Sequence, residues 1–113
     1  MIKNAYIAGP MSGHDDFNFT TFFKAADMLK RLGYKVFNPA EEDLKKWGSI
    51  ENTKKHATYR KCLKLDLNYI LDTENLTIFV LPNWHTSKGA KIEIAIAEVL
   101  KLPIIFLKNE DIE

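Results

Sequence analysis

A single cysteine, Cys62, stands in the chain, so no intrachain disulfide is possible, and a reducing, cytoplasmic setting is the simplest expectation. Long apolar runs are missing as well. None approaches the roughly 20 residues needed to cross a bilayer, and the opening "MIKNAYIAG" lacks the apolar length of a signal peptide. Neither sign of charge is in excess: 16 Lys and Arg against 15 Asp and Glu leave a formal net charge of +1. The basic residues are scattered, which argues against a nucleic-acid polymer or an acidic membrane as partner. His14, His56 and His85 have no metal-ligand spacing with Cys62 and read as surface or loop histidines, so no metal is expected. Ser12 and Ser87 lack a Ser-His-Asp context, the G-x-S-x-G elbow is absent, and neither a Walker loop nor G-x-G-x-x-G occurs. There are no internal repeats, and only the closing "KNEDIE" reads as a tail.

An apolar fraction of 46% over 113 residues is enough for one core without disulfides, and a single domain over 1–113 is expected. "IKNAYIAG" reads as a first strand that leaves through Gly9 and Pro10. Residues 17–32 place Phe19, Phe22, Phe23, Ala26 and Leu29 at helical spacing, with Gly33 just past the end. "YKVFNP" is a short strand stopped by Pro39, and "AEEDLKKWG" a short exposed helix or turn. Helices are expected over 54–72 and 88–101, and strands at "NLTIFVLP" and "PIIFL". The apolar runs "TIFVL" and "IIFL" suit strands buried on both faces. Strands alternating with helices imply parallel pairing and right-handed crossovers. The expected fold is a small flavodoxin-like or Rossmann-like three-layer α/β sandwich, with a parallel sheet of four or five strands in the order 2-1-3-4. Ligands of such sheets sit outside the C-terminal strand ends, near the point where strand order reverses. That places "YIAGPMSG" and "PNWHTSKGA" at the crevice.

Two carboxylates lie where solvated ones would not. On a helix over 59–71, Asp66 falls inside the apolar arc of Tyr59, Leu63, Leu67 and Ile70. It is either a structural group bonded to a loop or to an arginine such as Arg60, or an acid with a raised pKa. On the helix over 88–101, Glu93 lies away from the solvent face of Lys91, Glu98 and Lys101, beside Ala97 and Leu100. It is either a helix-start glutamate favoured by the macrodipole or a group at the ligand edge, the latter if Ser87 caps the helix. Gly89 allows close approach to backbone N–H groups, with Thr86, Ser87 and Lys88 as possible donors for an anion. Trp84, in the crevice loop, suits stacking on a flat ligand.

Tyr6-x-x-Gly9 at the end of the first strand, Asp66 in the middle helix, Ser87-x-Gly89-x-x-x-Glu93, and the small α/β sandwich occur together. In this combination the chain resembles the nucleoside 2-deoxyribosyltransferase-like superfamily, which includes deoxyribosyltransferases and 2-deoxynucleoside 5-phosphate N-hydrolases. "YIAGPMSG", "FNPAE" and "SKGAKIEIAIAEVLKLPI" look like a branch met in bacteriophages and prophages that has no assigned reaction. The resemblance implies Glu93 as nucleophile, Asp66 as the group that orients and protonates the base, and Tyr6 as the residue that positions Glu93. It implies Ala8, Gly9, Pro10, Ser12, Trp84, Ser87 and Gly89 as the substrate-binding set, with no cofactor. Ser87 matches the hydrolases, where the transferases carry aspartate. Pro10 departs from the hydrolases, which carry a phosphate-binding serine there. Asn109 is the candidate for the asparagine that transferases receive from a neighbouring subunit.

The leading expectation is therefore cleavage or transfer at the N-glycosidic bond of a 2-deoxyribonucleoside or its 5-monophosphate, with a small nucleoside or nucleotide as ligand. The alternative is a non-catalytic nucleotide-binding module, or a phage protein that binds a host partner, on the same fold. Free-base release separates the two. A homo-oligomer, at least a dimer, is also expected. Neighbouring subunits complete each other's sites in the family resembled, and Ile92, Ile94, Ala95, Ile96, Val99 and Leu100 surround most of the last helix. The competing expectation is that residues 40–55 fold over that helix within one chain.

Overall fold

Strand β1 (Asn4–Ala8) explains the layering. Successive side chains of a strand point to opposite faces. Ala5 and Ile7 join one buried cluster, and Tyr6 and Ala8 join another. A computed structural model describes residues 1–11, 18–49, 51–52 and 59–112 of the chain. Within them follow α1 (Phe19–Arg31), β2 (Lys35–Phe37), α2 (Pro39–Trp47), α3 (Tyr59–Asp72), β3 (Leu76–Val80), α4 (Lys88–Val99), β4 (Ile104–Phe106) and a short α5 (Asn109–Ile112). The four strands are parallel in the order β2-β1-β3-β4, as the sequence predicts. Tyr6 is level with Phe37 on one side and Ile78 on the other.

The first layer sets Phe19, Phe22, Ala25, Ala26 and Leu29 of α1 against Ala5, Ile7, Phe79 and Leu81. Burying a side chain such as Phe22 or Leu29 is worth roughly 1.5–3 kcal/mol each. The second layer sets Ile70 of α3 and Ile94 and Ala97 of α4 against Tyr6, Ala8, Ile78 and Val80. Asn18 adopts a left-handed conformation before α1 (φ 60°), and its side-chain amide donates to the Pro10 carbonyl at 3.1 Å. This ties the start of α1 to the exit of β1. Gly33, at φ 95°, takes the turn after α1 that a side chain would strain.

Three expectations change. The segment after β2 is a full helix with an inward face, on which Ala40 and Asp43 are buried. β4 is the sheet edge, so Ile105 and Phe106 are 44% and 52% exposed rather than buried on both faces. "KNEDIE" is not a free tail: Asp111 accepts the Lys108 N–H at 2.8 Å, and Ile112 packs into the first core layer.

Gly9 has a packing role of its own. A Cβ placed there would lie 2.7 Å from Leu81 Cδ1 and 2.8 Å from Leu81 Cβ. Leu81 is fully buried, and its Cβ cannot swing aside. The small residue at the exit of β1 therefore makes room for a neighbouring side chain, whatever else it admits. Gly9→Ala is expected to cost about 1–3 kcal/mol, the range for overpacking a core. Chemical denaturation of the two proteins measures it.

Candidate functional site

The phase of α4 is set at its first turn. Ser87 caps the helix, its Oγ accepting the Ala90 N–H at 3.1 Å. From that start Ala90, Glu93, Ile94 and Ala97 face inward and are buried. Glu93 is thereby brought under the sheet, where the Tyr6 hydroxyl donates to its Oε2 at 2.6 Å. Both side chains are buried, Glu93 at 5% exposure. The Tyr6 ring is held by Phe37 of β2, with centroids 5.5 Å apart, and by Tyr69 of α3 at 6.2 Å. Phe37 and Tyr69 stack on each other at 4.2 Å. One hydroxyl is thus aimed at one carboxylate by three elements.

Asp66 approaches from α3, partly buried, and its charge is felt by both Glu93 and Tyr6. Among the described residues it forms no ion pair with Arg60. Burial, first, and the charge of Asp43, second, push Asp66 up to about 7, with the Tyr6 hydroxyl opposing. Burial and the charge of Asp66 push Glu93 up to about 8, again against the Tyr6 hydrogen bond. Burial and the two carboxylates hold the Tyr6 hydroxyl well above its ordinary value, so it remains a donor. That hydroxyl has one proton to give. Directed at Glu93, it favours the anion there; burial still holds both carboxyls high, Glu93 at about 8 and Asp66 at about 7, so the pair exchanges protons near neutral pH.

The other predicted residues fall in two groups. Ala8 and Pro10 are buried at the end of β1, and the Ala8 carbonyl accepts the Leu81 N–H at 2.8 Å. With Gly9 they are taken up in packing. Ser12 lies outside the described residues. Trp84, Ser87 and Gly89 line the turn that leads into α4, and all three are half-buried. The Trp84 ring rests against Phe106 at 5.5 Å and on the second core layer. Thr86 spends its hydroxyl on the Asn83 carbonyl at 2.7 Å. Asn109 begins α5 and is exposed. His85 is exposed, while His14 and His56 lie outside the described residues. No group of three or more His, Cys, Asp or Glu side chains among the described residues is arranged to hold a metal ion.

Two buried polar residues at the start of α2 went unpredicted. Asn38 is 1% exposed; its Oδ1 caps the helix by accepting the Ala40 N–H at 3.0 Å, and its Nδ2 has no hydrogen-bond partner among the described residues. Asp43 is 7% exposed, and its one hydrogen bond among the described residues comes from the Cys62 thiol of α3, at 4.0 Å from Oδ1. Burial pushes Asp43 up to about 6, Lys46 opposing. Burial, Asp43 and Asp66 push the Cys62 thiol up to about 11, which makes it a proton donor and not a nucleophile. The signal for Asp43 was present in sequence. A cap at Asn38 with Pro39 in the first turn sets a phase in which Ala40, Asp43, Leu44 and Trp47 recur at helical spacing.

A family model described as a domain of unknown function (DUF4406) matches residues 3–106, which include Tyr6, Asp43, Asp66 and Glu93. No curated protein and no solved structure matches the chain.

Proposed function

Starting from the premise that the chain belongs to the DUF4406 family, we propose that it cleaves or transfers at the N-glycosidic bond of a 2-deoxyribonucleoside or its 5-monophosphate. The observation that carries the reading is the buried 2.6 Å hydrogen bond from Tyr6 to Glu93, with Asp66 as a second carboxyl beside it. Two carboxyl groups that cannot both ionise easily are suited to divide the work of nucleophile and acid. The Glu93 carboxylate attacks C1 of the deoxyribose, and the bond from C1 to the base nitrogen breaks. The bonding pair goes to the base, which takes the proton held by Asp66. Water, or a second base, then attacks C1 and releases Glu93, giving up its proton to the Asp66 carboxylate. The resemblance to the nucleoside 2-deoxyribosyltransferase-like superfamily assigns the same roles to these three positions.

The test is a screen of deoxynucleosides and their monophosphates, with and without an acceptor base, read as free-base release. Release with water alone identifies a hydrolase, and release that needs the acceptor identifies a transferase. Ligand binding without release leaves the non-catalytic nucleotide-binding reading in its place. With one thiol and no helix among the described residues long and apolar enough to cross a membrane, the cytoplasm is the setting proposed.

Self-association belongs to the same reading. On α4 the stripe Ile92, Ala95, Ile96 and Val99 runs along the outer face, with Val99 80% exposed. Ile96 packs in part against the second core layer, while Ile92 and Val99 are left exposed. The stripe adjoins Leu100 and, at the sheet edge, the exposed Ile105 and Phe106. A second copy, packed isologously, is the occupant proposed. Light scattering at micromolar concentration is expected to give at least twice the chain mass of 13.0 kDa; a mass of one chain overturns it.

A further inference from the structure

Asp43 is a buried carboxyl with little to hold it. Its neighbours Glu41 and Glu42 turn outward to Lys30 and Lys45, at 3.3–3.6 Å. Asp43 instead faces α3, where a thiol is its one hydrogen-bond donor among the described residues. A buried carboxyl contributes stability only when paired or well hydrogen-bonded, and a single thiol contact at 4.0 Å is a weak partner. Its place in the fold is more telling. Cys62 lies four residues before Asp66, one turn along α3 on the same side of the helix. The contact from Asp43 to Cys62 therefore lays a third carboxyl along the approach to Asp66. We infer that Asp43 is a positioning residue: from α2, its negative charge keeps on Asp66 the proton that the departing base receives. This rests on the N-glycosidic reading for what the proton does, but not for where it resides.

The charges around Asp66 agree. Glu93 of α4 and Asp43 and Glu42 of α2 are acidic, and Tyr6 of β1 is the hydroxyl that favours the ionised form. The cation near the group is Lys46, which acts on Asp43 and Cys62. Among the described residues two buried acids, Asp43 and Glu93, thus act on Asp66 against one hydroxyl, with Glu42, turned outward to Lys45, a lesser contributor. Removing the Asp43 charge makes Asp66 release its proton at lower pH.

The test is Asp43→Asn, with Asp43→Glu as the variant that restores the charge. The alkaline limb of the base-release profile is expected to move down by about one pH unit in Asp43→Asn, the scale of a neighbouring like charge. Turnover at pH 8 then falls about tenfold, and turnover at pH 6 changes less than about threefold. Asp43→Glu returns the limb toward its original place. A uniform loss at all pH values, with the limb unmoved, overturns the inference and makes Asp43 a packing residue. An NMR titration of the aspartate carboxyl carbons reads the same coupling without turnover. In the unsubstituted protein Asp43 and Asp66 are expected to titrate in mutually displaced steps, and the Asp66 step to fall in Asp43→Asn. An Asp66 step in the ordinary carboxylate range, or one indifferent to Asp43, overturns it even where no variant can be folded. If no deoxynucleoside releases base, the N-glycosidic reading fails alone, and the carboxyl titration still decides the coupling.

Discussion

Glu93→Gln is expected to lower base release by on the order of a hundredfold or more, as for loss of a catalytic nucleophile. The amide is nearly the same size and shape as the carboxylate. Its oxygen can still accept from the Tyr6 hydroxyl, now 2.6 Å from Glu93 Oε2. The second core layer, with Ile94 and Ala97 on the same helix face, should pack as before. What disappears is the negative charge that attacks C1. Binding of a deoxynucleoside, followed by calorimetry, should survive while free-base release does not. Full turnover in the variant removes the covalent mechanism.

The second large effect is on stability, and its sign runs against ordinary acid denaturation. Asp43, Asp66 and Glu93 are held in the fold at about 6, 7 and 8, above the ordinary values of 3.8, 3.8 and 4.5. Between those limits the folded chain binds more protons than the unfolded one. Stability from these groups is greatest below pH 4 and falls as pH rises through 6 to 8. Each raised group adds to that fall, the deeply buried Glu93 most. The share from Asp66 is reduced because it is partly open to solvent. Urea midpoints are expected to fall from pH 5 to pH 8, most steeply between 5 and 6, where all three groups are protonated only in the fold, and to level off above 8. Glu93→Gln should flatten the slope and be more stable than its parent at pH 9. A midpoint that rises over this range contradicts the burial of protonated carboxyls. Activity and stability are thus opposed at one residue.

Much of this arrangement was legible before any coordinates. Periodicity placed Asp66 and Glu93 off the solvent faces of their helices, because a helix repeats its faces whatever it packs against. Alternating strands and helices led to the strand order, since parallel strands need crossovers and crossovers have one hand. What escaped was set by neighbours distant in sequence. "EED" beside "KK" reads as a solvated run, and Asp43 stands out from the three acids only when the Asn38 cap is used to phase the helix; what it faces on α3 could not be read at all. Gly9 reads as an opening for a ligand, and only the position of Leu81, 72 residues later, reveals the competing demand on that space. The apolar run of β4 resembles that of β3, yet one is central and the other is an edge. The resemblance to deoxyribosyltransferases led to Tyr6 as the partner of Glu93; spacing could not have paired residues 87 apart.

That separation has a kinetic consequence. The first strand made is a central strand of the sheet, and its partner β3 and the helix bearing Glu93 come from the last third of the chain. Contacts so remote in sequence are entropically slow to close, and they form after local helices have appeared. A refolding chain can therefore regain its helical signal well before it regains a binding site. A truncated or nascent chain lacking α4 has Tyr6 without Glu93, the carboxylate its hydroxyl donates to. Formation of the Tyr6–Glu93 pair is therefore a late event of folding, and so a stricter report of the native state than any measure of secondary structure.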